Sequence, residues 1–145
     1  MPSDVSIQAL FPRARLAPPA TEQAIAAAEA TLGVRFPAQL RRFYLECDGF
    51  REDRGNAKYL LSLAEPDSVG SLVATTRFYW EEWPGFFPEL DFRPFVFFGF
   101  SGGDDVWAID WSRGDRIIRY HHHLGAEYEV AGRDILEVWR ADYAQ

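Results

Sequence analysis

The sequence predicts an α+β fold: one central antiparallel sheet of about four to five strands, with an N-terminal helical hairpin, a middle helix and a C-terminal helix packed around it. Three observations carry that expectation. Apolar residues recur at helical spacing from Ile25 to Cys47 and again from Val69 to Trp83. The period then shortens to that of strands between Phe95 and His121, with turn residues every few positions. A last helical pattern closes the chain from Asp134. Helices and strands in separate runs, rather than in alternation, point to α+β and not to a parallel α/β sheet.

Each element has its own signals. Pro18-Pro19 stops whatever precedes it. Thr21 then offers an N-cap, with Glu22 in the first turn where the helix dipole favours a carboxylate. Ile25, Ala28 and Leu32 make one face, and Gly33 suits a left-handed C-terminal cap. Pro37 fits the first position of a second helix, whose stripe is Leu40, Phe43, Tyr44 and Cys47 and which ends at Asp48-Gly49. Tyr59 to Leu63 reads as a short strand. Pro66 and Asp67 open a third helix with the stripe Val69, Leu72, Val73, Thr76, Trp80 and Trp83, closed by Pro84-Gly85.

Phe95 to Phe100 is apolar on both faces, as a central strand must be. Asp105 to Trp111 alternates, with Trp107, Ile109 and Trp111 on one face. Arg116 to His121 follows after Ser112-Arg113-Gly114-Asp115, and the three strands form a meander. Tyr128-Glu129-Val130 is an edge-strand candidate. Asp134 caps the final helix, which turns Ile135, Leu136, Trp139 and Tyr143 inward. Residues 1–17 are expected as a flexible arm and 18–145 as one domain; the polar stretch Arg51 to Asn56 is a second flexible candidate.

Composition narrows the function. The chain has 145 residues and a formal net charge of −7, of which −6 falls after residue 74. A domain this acidic is a poor candidate for a nucleic-acid backbone, which demands clustered lysine and arginine, and no nucleic-acid partner is expected; Lys58 is the only lysine, and the other 14 basic residues are arginines. No apolar run reaches the roughly 20 residues that span a bilayer, so no membrane association is expected. Met1-Pro2-Ser3-Asp4 begins no signal-peptide pattern, and a single cysteine suits a reducing compartment; the expected location is the cytoplasm. Aromatic residues reach 16%, enough for a tight core or for large contact anchors.

Motifs of catalysis do not assemble. Ser101-Gly102-Gly103-Asp104 lacks the lysine and following helix of a phosphate loop, and reads as a turn. His121-His122-His123 would alternate faces on a strand, so His121 and His123 at most converge; no metal site and no cofactor are expected. Cys47 lies on a helix stripe and reads as a buried, inert thiol. Glu81 and Glu82 point about 100° apart on a helix and do not form a catalytic pair. No catalytic residue is assigned, and the chain is not expected to be an enzyme.

Two blocks of residues resemble the SUKH superfamily. The first comprises Ile25, Glu29, Leu32-Gly33, Phe36-Pro37, Leu40, Tyr44 and Asp48-Gly49. The second runs Phe97-Phe98-Gly99, Ser101-Gly102-Gly103-Asp104 and Val106-Trp107-Ala108-Ile109-Asp110. The resemblance covers roughly residues 18 to 143; where the family often has asparagine before the second helix-ending glycine, this chain has Asp48. It implies a binding role without shared catalytic machinery. Bacterial members resemble immunity proteins that bind and block a toxin domain encoded beside them, and fungal relatives are regulators acting by protein contacts. The expected function is therefore stoichiometric occlusion of a cognate polymorphic or contact-dependent toxin's C-terminal domain, basic in charge and nuclease-like in one version. The alternative is a regulator or scaffold with a non-toxin partner. The chain is expected to be a monomer or weak dimer. Acidity and loop placement nominate Glu81, Glu82, Glu89, Asp91, Asp104, Asp105 and Asp115 as partner contacts, with Trp83 and Tyr128 as anchors. Reversing Asp104 and Asp105 together to lysine is expected to slow association and spare folding.

Overall fold

The computed structural model describes residues 6–52, 57–64, 70–102, 105–121 and 127–143. Seven strands form one sheet in sequence order, every neighbouring pair antiparallel. They are β1 (Arg15–Leu16), β2 (Phe50–Arg51), β3 (Lys58–Leu60), β4 (Phe95–Ser101), β5 (Asp105–Asp110), β6 (Ile117–His121) and β7 (Tyr128–Gly132). The helices are α1 (Ile7–Leu10), α2 (Glu22–Leu32), α3 (Ala38–Glu46), α4 (Leu72–Arg77) and α5 (Ile135–Tyr143). The α+β class holds, with more strands than the four to five expected. The additional ones are the two-residue pairings of β1 and β2, too short to show a period.

Caps lie close to where side-chain chemistry places them. The Thr21 hydroxyl accepts the Ala24 N–H at 3.0 Å, and Gly33 closes α2 at φ +71°. Asp134 accepts the Glu137 N–H at 3.0 Å ahead of α5. Pro37 stands one residue outside α3 instead of in its first turn. Within the segment expected as a flexible arm, described residues 6–17 pack: Ile7 and Phe11 are fully buried, and the Phe11 ring lies against Phe50 and Trp139. Pro66, Asp67, Val69, residues 53–56, Asp104, His122 and His123 lie outside the described residues, as does the side chain of Tyr143.

The sheet is buried on both sides at its centre. On one face, Tyr79 stacks on Phe97 with centroids 4.4 Å apart, and Trp80 Nε1 donates to the Phe95 carbonyl at 2.9 Å. The opposite face carries Trp139 of α5 against Phe98, Trp107 and Phe50. β5 is accordingly buried at all six positions, including its terminal aspartates, where an alternating pattern was expected; Trp111 falls in the turn beyond it. A register shift between Phe97 and Gly99 marks a bulge in β4. Gly99 is required there: a Cβ would come within 2.6 Å of the Tyr59 carbonyl and 3.1 Å of the Trp139 ring.

Candidate docking face

The expected third helix does not run as one α-helix. After Arg77 it widens into a π-helical turn, Phe78–Glu82, in which the Trp83 N–H reaches back to the Phe78 carbonyl, and then tightens into a 3₁₀ turn, Trp83–Gly85. Pro84 and Gly85 account for the termination. The widening changes the phase of every side chain after Arg77, a device common at functional sites. Tyr79 and Trp80 go down onto the sheet, while Phe78, Glu81 and Glu82 face outward.

Trp83 organises what results. Its indole N–H donates to the Tyr120 hydroxyl at 2.8 Å, which fixes the ring over β6. Around it stand Phe78 at 5.6 Å, Phe86 at 5.5 Å and Phe87 at 5.8 Å between centroids. Phe86 is 68% exposed and Phe78 41%. Glu81, Glu82 and Glu89 are exposed in the same short segment. Burial raises the Tyr79 and Tyr120 hydroxyls above the ordinary phenol range, the bond from Trp83 only moderating the latter, so both stay neutral donors and acceptors under this surface. The product is a rigid aromatic platform bordered by carboxylates.

The other nominated residues divide. Asp91 is exposed and its carboxylate accepts the Arg93 N–H at 3.1 Å; the Arg93 guanidinium lies over Trp80 at 5.3 Å. Tyr128 is half-buried against Phe92 and Phe95, and its hydroxyl accepts from Arg116 at 3.4 Å, so it supports the platform's far side and is not a free anchor. Asp115 is exposed in the β5–β6 turn, 4.0 Å from Arg113. It lies past the opposite end of β5 from Asp105, so the two cannot share a patch with each other. Asp104 lies outside the described residues.

Asp105 is a correction. Only 4% exposed, it begins β5 and takes bonds from Arg119 at 2.8 and 2.9 Å, with His121 Nε2 at 3.7 Å from its other oxygen. Arg119 also reaches Glu129 at 3.4 Å and Asp142 at 3.8 Å, and Asp142 pairs with Lys58, which is fully buried. Asp142 thus ties α5 to the sheet through Lys58 of β3 and Arg119 of β6. Burial disfavours the Arg119 cation, but Asp105, Asp142 and Glu129 outweigh it and raise its pKa. Reversing Asp105 would therefore attack folding, contrary to the expectation that folding is spared.

Phe78 escaped the sequence reading, although it lies off the apolar stripe of that helix, which is the signal that it faces out. The Lys58 network escaped it as well; the hint was the chain's only lysine standing directly before an apolar strand. Cys47 is buried as expected, and desolvation together with Glu46 pushes its thiol up to about 12. Among the described residues no cluster of three His, Cys, Asp or Glu side chains could hold a metal, and no helix is long and apolar enough to cross a membrane.

A model of the SMI1/KNR4 family (SUKH-1) matches residues 19–135, which take in both resemblance blocks and six of the seven strands in full. The chain belongs to the SMI1/KNR4 (SUKH-1) family. No curated protein matches it. Within this SUKH-1 chain the Leu32-Gly33 and Phe36-Pro37 positions act as scaffold: the Glu29 carboxylate accepts the Phe36 N–H at 2.7 Å and ties the two helices together. Asp48 does similar work, accepting from Leu63 N–H at 2.7 Å and the Ser62 hydroxyl at 3.1 Å.

Proposed function

We propose that this SUKH-1 chain is an immunity-type protein, which binds a cognate toxin domain one-to-one in the cytoplasm of the producing cell and occludes it without chemistry of its own. One observation carries the reading: exposed Phe86 and Phe78 are held around an anchored Trp83, with Glu81, Glu82 and Glu89 beside them. Large apolar side chains at the surface of a monomer mark an interaction face. Aromatic anchors with a polar rim are the anatomy of a protein interface. The carboxylates select a basic partner and speed encounter with it by steering. A toxin domain that acts on nucleic acid or nucleotides presents such a surface, because it must attract phosphate.

The test is co-elution with the C-terminal domain encoded beside this chain, at low and at physiological salt, followed by a neutralisation assay. A one-to-one complex that loses affinity about 30-fold on Phe86→Ala supports the reading, since that factor is the roughly 2 kcal/mol expected of an anchor residue. No complex at either salt would reject toxin binding and favour a regulator with a different protein partner.

A further inference from the structure

Across the sheet, directly opposed residues form a row: Arg15, Arg51, Tyr59, Phe100, Val106, Tyr120 and Tyr128, one from each strand. Directly opposed side chains share a face, so the row lies on the Trp83 side. Its Tyr120 member is buried beneath the platform segment and Val106 is buried beside it in the sheet, whereas Arg15 and Arg51 are exposed and Tyr59 and Phe100 half-buried. The β1–β4 end of this face is thus a separate surface on the same sheet.

Two features mark that surface. Like charges placed directly opposite on neighbouring strands repel, yet Arg15 faces Arg51 in a chain of net charge −7, and among the described residues neither guanidinium has an ion pair. Secondly, most rings in this protein contact another ring, but among the described residues Tyr59 and Phe100 contact none, although they are register partners. Arg51, Tyr59 and Phe100 line a cleft of about 520 Å³ together with Glu52, Leu61 and Gly70. That volume lies in the small-ligand range of roughly 300–1,000 Å³. Among the described residues the one carboxylate on the wall, Glu52, is buried and already accepts the Lys58 N–H at 2.9 Å.

We propose that this cleft, together with Arg15, which lies outside its lining but opposite Arg51 on the neighbouring strand, binds a nucleoside monophosphate: the phosphate between the Arg15 and Arg51 guanidiniums, the base against Tyr59 and Phe100. An arginine fork matches a phosphate bidentately, and two opposed forks turn a repulsive pair into a clamp. Unstacked rings beside it offer the apolar face that a base prefers, without selecting which base. The overall negative charge supplies no long-range attraction, so binding is short-range and modest. This inference does not depend on the toxin-binding reading, whose platform lies at the other end of the row.

An amide-resolved NMR titration of the full chain with AMP, CMP and inorganic phosphate tests it. The nucleotides should shift resonances around residues 15, 51, 59 and 100 and saturate below about 1 mM, with phosphate alone at least about 10-fold weaker. Arg15→Gln and Arg51→Gln should each weaken nucleotide binding about 10-fold or more while leaving the rest of the spectrum unchanged; Arg51→Lys should recover only part, for want of the fork. Arg140→Gln, on exposed α5 surface, should change nothing. Any of three results overturns the proposal: no saturation by about 5 mM, shifts confined to other surfaces, or phosphate binding as tightly as the nucleotides. Saturable binding of an acidic peptide in place of any nucleotide would likewise reject this ligand class.

Discussion

Removing the Asp142 carboxylate should be among the most damaging single changes available on this chain's polar residues. Lys58 is fully buried, and Asp142, about 10% exposed, pairs with it from the last turns of α5. The Lys58 ammonium also lies 5.9 Å from the Trp107 ring centroid, but a ring quadrupole offsets only a fraction of what burying a cation costs. Asp142→Ala leaves that cation in place and also takes a carboxylate from Arg119, 3.8 Å away. Breaking a buried pair from one side typically costs about 3–5 kcal/mol. For a chain of 145 residues, at about 2.1 cal/mol/K per residue, 3 kcal/mol lowers Tm by about 10 °C. Lys58→Met removes the charge that needs compensation and keeps the volume, and Asp142 retains Arg119, so its loss should stay near 1 kcal/mol. Urea denaturation of both variants and of the Lys58→Met/Asp142→Leu double variant measures the difference, and the double should recover most of the Asp142→Ala loss. An Asp142→Ala loss under about 1 kcal/mol, or one equal to that of Lys58→Met, would refute the view that the Lys58–Asp142 pairing sets the cost.

Further expectations follow from single sites. Gly99→Ala should lose about 2 kcal/mol or more, because the bulge brings the Tyr59 carbonyl within 2.6 Å of a Cβ and backbone cannot move aside as a side chain can; chemical denaturation reads it. Cys47 should resist a thiol reagent at pH 8 in the native state and react fully in denaturant, since its buried thiol titrates at about 12. Burial pushes the Asp110 carboxyl up, but bonds from Ser112 and Arg113 and the Arg116 charge outweigh it and leave its pKa lowered. A depressed folded pKa means stability that is present above the unfolded value, near 3.9, and lost as pH falls through the folded one. Unfolding free energies measured from pH 5 to about pH 2 should therefore fall more steeply for the wild type than for Asp110→Asn.

The parts of the fold that were legible are those whose signal is local and repeated. Phe95 to Phe100, apolar on both faces, reads as a central strand because helices do cover both of its sides. Thr21, Gly33 and Asp134 mark helix ends because capping is one side chain meeting one or two backbone groups. What was hidden depends on contacts distant in sequence. β1 and β2 are two residues each; β1 is a strand only through pairing with β2 over more than thirty positions, and β2 through that pairing and its own with β3. The π-helical turn has no signature in apolar spacing, since it inserts one residue into a stripe that otherwise reads as continuous. Of the nominated site, Glu81, Glu82, Trp83 and Glu89 fall in one short segment, whereas Asp105 looked like an exposed turn acid. Nothing local reveals that β5 starts there, or that Arg119 lies across from it.

That misreading separates two kinds of acid within the net charge of −7. Asp105 and Asp110 are buried and held by arginines, and Asp142 by Lys58 and Arg119; Asp134 caps a helix. Each of these has its charge offset or committed within a few ångströms, so it adds little to the field felt by an approaching protein. Glu81 and Glu82 are different, since they are exposed and sit beside the anchors. Steering depends on uncompensated charge near the contact, and salt screens it over roughly 10 Å at 0.1 M. Glu81→Lys with Glu82→Lys should therefore slow association with a basic partner several-fold at low salt, less at high salt, and leave Tm within about 2 °C. Asp105→Lys should do the reverse: unfold the chain at lower temperature with no specific effect on the association rate of the fraction that remains folded. Stopped-flow association beside thermal melts of the same variants decides the matter, and a slowed association that persists at 0.5 M salt would show that the two glutamates act by contact instead of by steering.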